Sequence, residues 1–200
     1  MTAAFEASKR DAVRKAVFTN DRKGRLTLSV IWDVNKPILG WAMANPSWAG
    51  EDSNDMTFNR VWWFTARSGR WGGFVIVNSV PYVAADAAEC REWCKNVGLI
   101  KDSSAKEMLK ANVDMMIALA PKVDAWVLAY GEVALTFGIH VNWMLDALRG
   151  GARPFYVLGV TSGGTPKHPM ARGVHRIPDD APFLHFDPRI RRLGDVAYPD

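Results

Sequence analysis

Three polar clusters stand apart in this chain: Asn45-Pro46-Ser47, Asn78 and His168-Pro169. Each follows or ends an apolar, β-like run, respectively Ile38 to Ala44, Phe74 to Val77 and Phe155 to Val160. A side-chain amide offers a donor and an acceptor at once, and it can orient a water molecule although it cannot take its proton at neutral pH. An imidazole can hydrogen-bond to negative charge as it develops on a departing group. In an open parallel α/β sheet the loops at the carboxyl ends of the strands converge on one crevice, so two amides and an imidazole would face one pocket.

Positioning them requires strands that alternate with helices. Ile38 to Ala44, Phe74 to Val77, Ala125 to Ala129 and Phe155 to Val160 are nearly continuous apolar runs, as in strands covered on both faces. Helical spacing or end signals mark Thr57 to Ser68, part of Ala84 to Trp93, Ser103 to Leu119 and Glu132 to Leu148. Ala4 to Phe18 is expected to form an N-terminal helix and Arg25 to Trp32 an edge strand. The pattern predicts an α/β fold, a three-layer α/β/α sandwich around a central, mainly parallel four-stranded sheet. One domain is expected over 1–200: helix and edge strand in 1–35, core in 36–172, and an irregular basic tail in 173–200.

Two hundred residues, 48% of them apolar, suit a sizeable core. There is no run of about 18 apolar residues to span a bilayer. Met1 to Arg14 lack the apolar core of a signal peptide, so the expected setting is the cytoplasm, without membrane contact. Cys90 and Cys94 have neither the count nor the spacing of a zinc or iron–sulfur site and read as neighbouring cytosolic thiols; no metal or cofactor is expected.

The net charge is +4. Basic residues bunch at Lys9, Arg10, Arg14, Lys15, Arg22, Lys23 and Arg25, and again at Lys167, Arg172, Arg176, Arg189, Arg191 and Arg192. Such bunches suit phosphate contacts and equally an ordinary solvated face. Trp32, Trp41, Trp48, Trp62, Trp63 and Trp71 crowd one stretch; most should be core, with Trp48, in a loop, the favoured stacking wall for a planar ligand. Thr161-Ser162-Gly163-Gly164-Thr165 before Lys167 offers N–H groups and hydroxyls to a phosphate, without the Gly-Lys-Ser/Thr of a Walker A loop.

Taken in order, Asn45-Pro46, Phe58, Val75-Ile76-Val77-Asn78 and His168-Pro169 resemble the motifs of the uracil-DNA glycosylase superfamily. More narrowly the chain is similar to a DUF1643-like branch of small bacterial and phage proteins with an Asn-Pro-Ser motif; the resemblance covers Ile38 to Arg172. It implies a monofunctional DNA glycosylase, with DNA as partner, that flips a pyrimidine and leaves an abasic site; a monomer is expected. Asn45 would hold the attacking water and His168 would stabilise the leaving base. Asn78 would read the base edge, Phe58 would stack on its face, and Pro46, Ser47 and Trp48 would complete the base site.

Where the uracil-specific branch has a bulky aromatic after the Pro, this chain has Ser47, so a C5-substituted base, such as a modified cytosine or thymine of phage DNA, would fit. Anti-phage defence is then the expected setting. Where the superfamily often has a Leu wedge, this chain has Arg172, with Met170 nearby; either could enter the duplex, beside Lys167 on the phosphates. Glu51, Asp52 and Asp55 could supply a carboxylate or form an exposed acidic loop. Asn78 could instead cap its own loop, and Phe58 could be a core residue. The alternatives to a glycosylase are a base-hypermodification enzyme, a non-catalytic reader of modified DNA, and a nucleotide or nucleoside enzyme without polymer contact.

Overall fold

The apolar runs assemble into one sheet, seen in a computed structural model that describes residues 2–49, 53–99 and 103–188. In chain order, α1 (Ala3–Ser8) leads into β1 (Val13–Phe18) and β2 (Arg25–Ile31), followed by β3 (Ile38–Met43), α2 (Met56–Ala66) and β4 (Gly73–Asn78). Then come α3 (Ala87–Leu99), α4 (Ser103–Leu119), β5 (Ala125–Leu128), a 3-10 helix (Glu132–Phe137), α5 (His140–Arg149) and β6 (Phe155–Val157). A short 3-10 helix (Gly173–His175) and β7 (Leu184–His185) complete the described elements.

The sheet has seven strands in the order β1-β2-β4-β3-β5-β6-β7. β4, β3, β5 and β6 are mutually parallel, while β1, β2 and β7 pair antiparallel at the flanks, so the sheet is mixed and wider than the four strands expected. Residues alternate between two cores. Trp41, Met43, Phe74, Ile76 and Val127 pack with Val61 and Phe64 of α2. Ala42, Val75, Val77 and Leu128 pack with Met116 of α4 and Met144 and Leu148 of α5. Buried Trp41 also satisfies its indole N–H, donating to Thr65 Oγ1 at 3.0 Å. Gly40 has a packing reason: a Cβ there would lie 2.3 Å from the ring of Trp126, its cross-strand partner on β5.

Four expectations are corrected. Ala4 to Phe18 is not one helix, because Val13–Phe18 pairs with β2. Arg14, Lys15 and Ala16 favour a helix locally, but the hairpin ladder overrides that preference. Arg25 to Trp32 is consequently interior to the sheet, with β1 outside it. Glu132 to Leu148 divides into a 3-10 helix and α5 at Gly138, whose φ is +78°. The tail from 173 is not wholly irregular, since β7 extends the sheet beside β6. Arg189, Arg191 and Arg192 lie outside the described residues.

Candidate functional site

The order of the parallel strands fixes where a crevice can form. β3 is the first of them in the chain, yet β4 lies on one side of it and β5 on the other. The connections therefore diverge at the carboxyl end of β3, the switch point at which open α/β sheets hold their ligands. A cavity of about 180 Å³ lies beside it, at the carboxyl ends of β3 and β4 and the start of β2, lined by Arg25, Leu28, Met43, Asn45, Ser47, Ala49, Asp55, Thr57, Phe58, Ile76, Asn78, Ala84, Ala85, Ala87 and His168.

Its walls are tied to one another. Ser79 N–H donates to Met43 O at 2.9 Å, Val80 N–H to Ala44 O at 3.0 Å and Ala84 N–H to Pro46 O at 3.0 Å, so the loops after β3 and β4 form one hydrogen-bonded seam. Asn45 joins it: its Nδ2 donates to Ala84 O at 2.9 Å and Pro46 O at 3.2 Å, leaving Oδ1 as the acceptor it can offer the cavity.

Asn78 closes β4 and is only 1% exposed. Its backbone carbonyl accepts from Asn112 Nδ2 of α4 at 2.9 Å, while its own Nδ2 is buried with no hydrogen-bond partner. A buried, unsatisfied amide costs about 1–3 kcal/mol, and native proteins rarely keep one without a use.

His168 reaches the cavity from the far strand. Lys167 N–H donates to Gly159 O at 2.9 Å, and Gly131 N–H donates to Pro166 O at 3.0 Å, which bends the loop after β6 back over the end of β5. Gly131 has φ +68°, and a Cβ on it would lie 3.0 Å from His168 Cβ, so glycine is required by conformation and by space. His168 Nδ1 accepts from Met170 N–H at 3.1 Å, which puts the proton of the neutral ring on Nε2. Burial pushes the imidazole pKa down to about 4 against a smaller upward pull from Asp55, so the ring is neutral at pH 7 and offers the cavity an N–H.

Asp55 is not a residue of an ordinary solvated acidic loop. It caps α2, its Oδ1 accepting from Phe58 N–H at 2.7 Å, and its Oδ2 accepts from Ser47 Oγ at the cavity wall. Glu51 and Asp52 lie outside the described residues. Phe58 lines the cavity and is also core, 2% exposed and edge-on to Trp62 and Phe74, with the Arg14 guanidinium over its ring at 3.9 Å.

Other candidates stand outside the cavity. Trp48 is 70% exposed rather than a cavity wall, at a bend of the chain after Ser47. Lys167, Met170 and Arg172 belong to the His168 loop and do not line the cavity; Lys167 and Met170 are half-buried and Arg172 is exposed. The Thr161 to Thr165 turn closes on itself instead of presenting its N–H groups: Thr161 N–H donates to Thr165 O, Gly164 N–H to Thr161 O and Thr165 N–H to Thr161 Oγ1.

Two residues have places that the motifs did not indicate. Arg25 is a cavity residue 3% exposed, although it counted above only as part of a basic bunch. Asn112, 0% exposed, holds the end of β4. It had a legible signal, an amide within the apolar helical stripe Ala105, Met108, Leu109, Met116.

Residues 25–170 match a family model described as a protein of unknown function, DUF1643. No curated protein and no solved structure matches the chain. The matched stretch runs from Arg25 to Met170 and contains every residue that lines the cavity.

Proposed function

The chain belongs to the DUF1643 family of proteins of unknown function, and we propose that it is a DNA glycosylase of the uracil-DNA-glycosylase type. In this reading it flips a pyrimidine, preferably one enlarged at C5 as in modified phage DNA, and hydrolyses the N-glycosidic bond. One observation carries the reading: a free amide acceptor from Asn45, a buried unpartnered amide donor from Asn78 and a neutral imidazole from His168 converge on a single cavity beside Phe58.

Each group has a task in that chemistry. Asn78 would meet a carbonyl oxygen on the base with Nδ2, satisfying an atom otherwise left bare. The aromatic edge of Phe58 would lie against the ring. As the C1′–N bond breaks, its electron pair leaves with the base, and His168 Nε2–H would stabilise the negative charge gathering on the base oxygen. Asn45 Oδ1 would accept a hydrogen bond from the water that adds to C1′, orienting it without deprotonating it; the proton that water sheds once the C1′–O bond has formed goes to the anionic base that has left. Ser47, small and bound to Asp55, leaves the adjoining wall open to a C5 substituent.

A second reading is favoured by Asp55. Among the described residues it is the one carboxylate lining the cavity, and each of its oxygens accepts a hydrogen bond. A carboxylate held as a helix cap and by Ser47 suits a reader of modified DNA, or an enzyme that alters the C5 substituent, as well as it suits a slow glycosylase.

The experiment is to incubate the protein with unmodified, uracil-containing and C5-modified DNA, then measure alkali-labile sites and released base by mass spectrometry. Free base together with abasic sites supports the glycosylase. A strand of altered mass without abasic sites supports hypermodification, and tight binding without product supports the reader.

A further inference from the structure

Arg25 has no part in the chemistry above, yet its guanidinium is buried in the same cavity. β2 runs antiparallel to β4, so its first residue lies at the carboxyl end of the parallel strands, where Arg25 N–H donates to Pro81 O at 2.9 Å. Nη1 donates to the backbone oxygens of Ala49 and Ser47, but Nε is buried with no hydrogen-bond partner. Among the described residues no carboxylate forms an ion pair with it. Burial, only partly offset by the attraction of Asp55, lowers its pKa to about 10, and it remains a cation at neutral pH.

A desolvated cation with no carboxylate within ion-pair distance is costly to keep. Its planar fork of donors is matched by a carboxylate or phosphate, whose oxygens accept two parallel bonds. Asp55 attracts the guanidinium from within the cavity but does not come into ion-pair distance of it. The position within the cavity is informative as well. Arg25 binds the backbone of Ser47, the residue at the C5 side in the proposed function, and it lies deep among side chains rather than at an exposed rim suited to backbone phosphates.

We propose that Arg25 is the specificity-determining residue of this pocket and binds an oxyanion on the ligand, so that the preferred base is a pyrimidine with an acidic group at C5. The inference rests on the pyrimidine-binding part of the proposed function and deepens it.

The test is calorimetric binding of free bases to the full chain at pH 7, which needs no catalysis. The probes are 5-carboxyuracil, its neutral isostere 5-carbamoyluracil and thymine, with thymidine and thymidine 5′-monophosphate as a phosphate control. The expected result is that 5-carboxyuracil binds about tenfold more tightly than 5-carbamoyluracil, the scale of one charge-assisted hydrogen bond. Arg25→Met should bring the two within about twofold, and Arg25→Lys should restore only part of the difference, because an ammonium lacks the fork.

Equal wild-type affinities for the two isosteres would overturn the inference and leave pyrimidine binding intact. The wild-type ratio therefore decides the matter even if Arg25→Met fails to fold. Absence of binding by every pyrimidine probe would overturn both the inference and the reading beneath it. An Arg25-dependent preference for the monophosphate over thymidine, with no preference among C5 groups, would assign the guanidinium to a backbone phosphate and overturn the C5 assignment.

Discussion

Two concavities of this molecule differ in a way that size does not reveal. The groove between α4 and α5 has a volume of about 660 Å³ and is lined by Val113, Ile117, Pro121, Trp143, Asp146, Ala147 and Gly150. Asp146, its one ionisable lining residue among those described, is already paired with Arg149. The cavity at the strand ends measures about 180 Å³, yet buried there are Asn78 Nδ2 and Arg25 Nε, both without partners. The groove is apolar surface left between two helices. The cavity holds polar atoms in an environment that penalises them until something binds. Two unsatisfied donors converging on one cavity, rather than volume, distinguish this site from the groove.

The largest effect expected from this contrast is at His168. His168→Ala should lower base release by about a hundredfold or more, the scale of losing one donor to a developing oxyanion, with DNA binding retained. Single-turnover release measured beside a binding titration checks it, and unchanged release would remove the imidazole from the chemistry.

The same residue supplies a pH test. Its folded pKa of about 4 lies below the ordinary 6.5, so the unfolded chain binds the extra proton first as pH falls. The contribution is fully present above about pH 6.5, is lost progressively down to about pH 4 and does not change further below that. Urea midpoints at pH 7 and pH 5 should differ more in the wild type than in His168→Gln.

Asn78→Leu sharpens the comparison from the other side. Removing an unsatisfied amide should leave folding stability unchanged or raise it by up to about 1 kcal/mol, while ligand affinity falls about tenfold. Denaturant melts and binding isotherms of the same variant measure both. A loss of stability would show that Asn78 serves the fold rather than a ligand.

The smallest effect belongs to the groove. Ile117→Ser, at a residue 55% exposed, should change stability by no more than about 0.5 kcal/mol and leave base release as it was.

What the sequence made legible follows the same division. Asn45, Asn78 and His168 were readable because each lies at or beyond the end of a parallel strand, and parallel strands deliver such residues to one crevice. Arg25 was not, because its place depends on β2 running antiparallel beside β4, a pairing set by tertiary contacts. The misread Val13–Phe18 segment belongs to the same hairpin, where helix-favouring residues are held extended by their neighbour. Trp48 carried the opposite error. Its neighbour Ser47 lines the cavity, but the chain bends at Trp48 and the indole faces solvent.

The seam that joins the loops after β3 and β4 has a kinetic consequence. Backbone bonds from Ser79, Val80 and Ala84, with the Asn45 amide, fix that wall before any ligand arrives. Little chain entropy remains to be lost on binding, so affinity is not spent on ordering a lid. A free base meets a wall already built along this seam, and its capture there needs no ordering of the two loops.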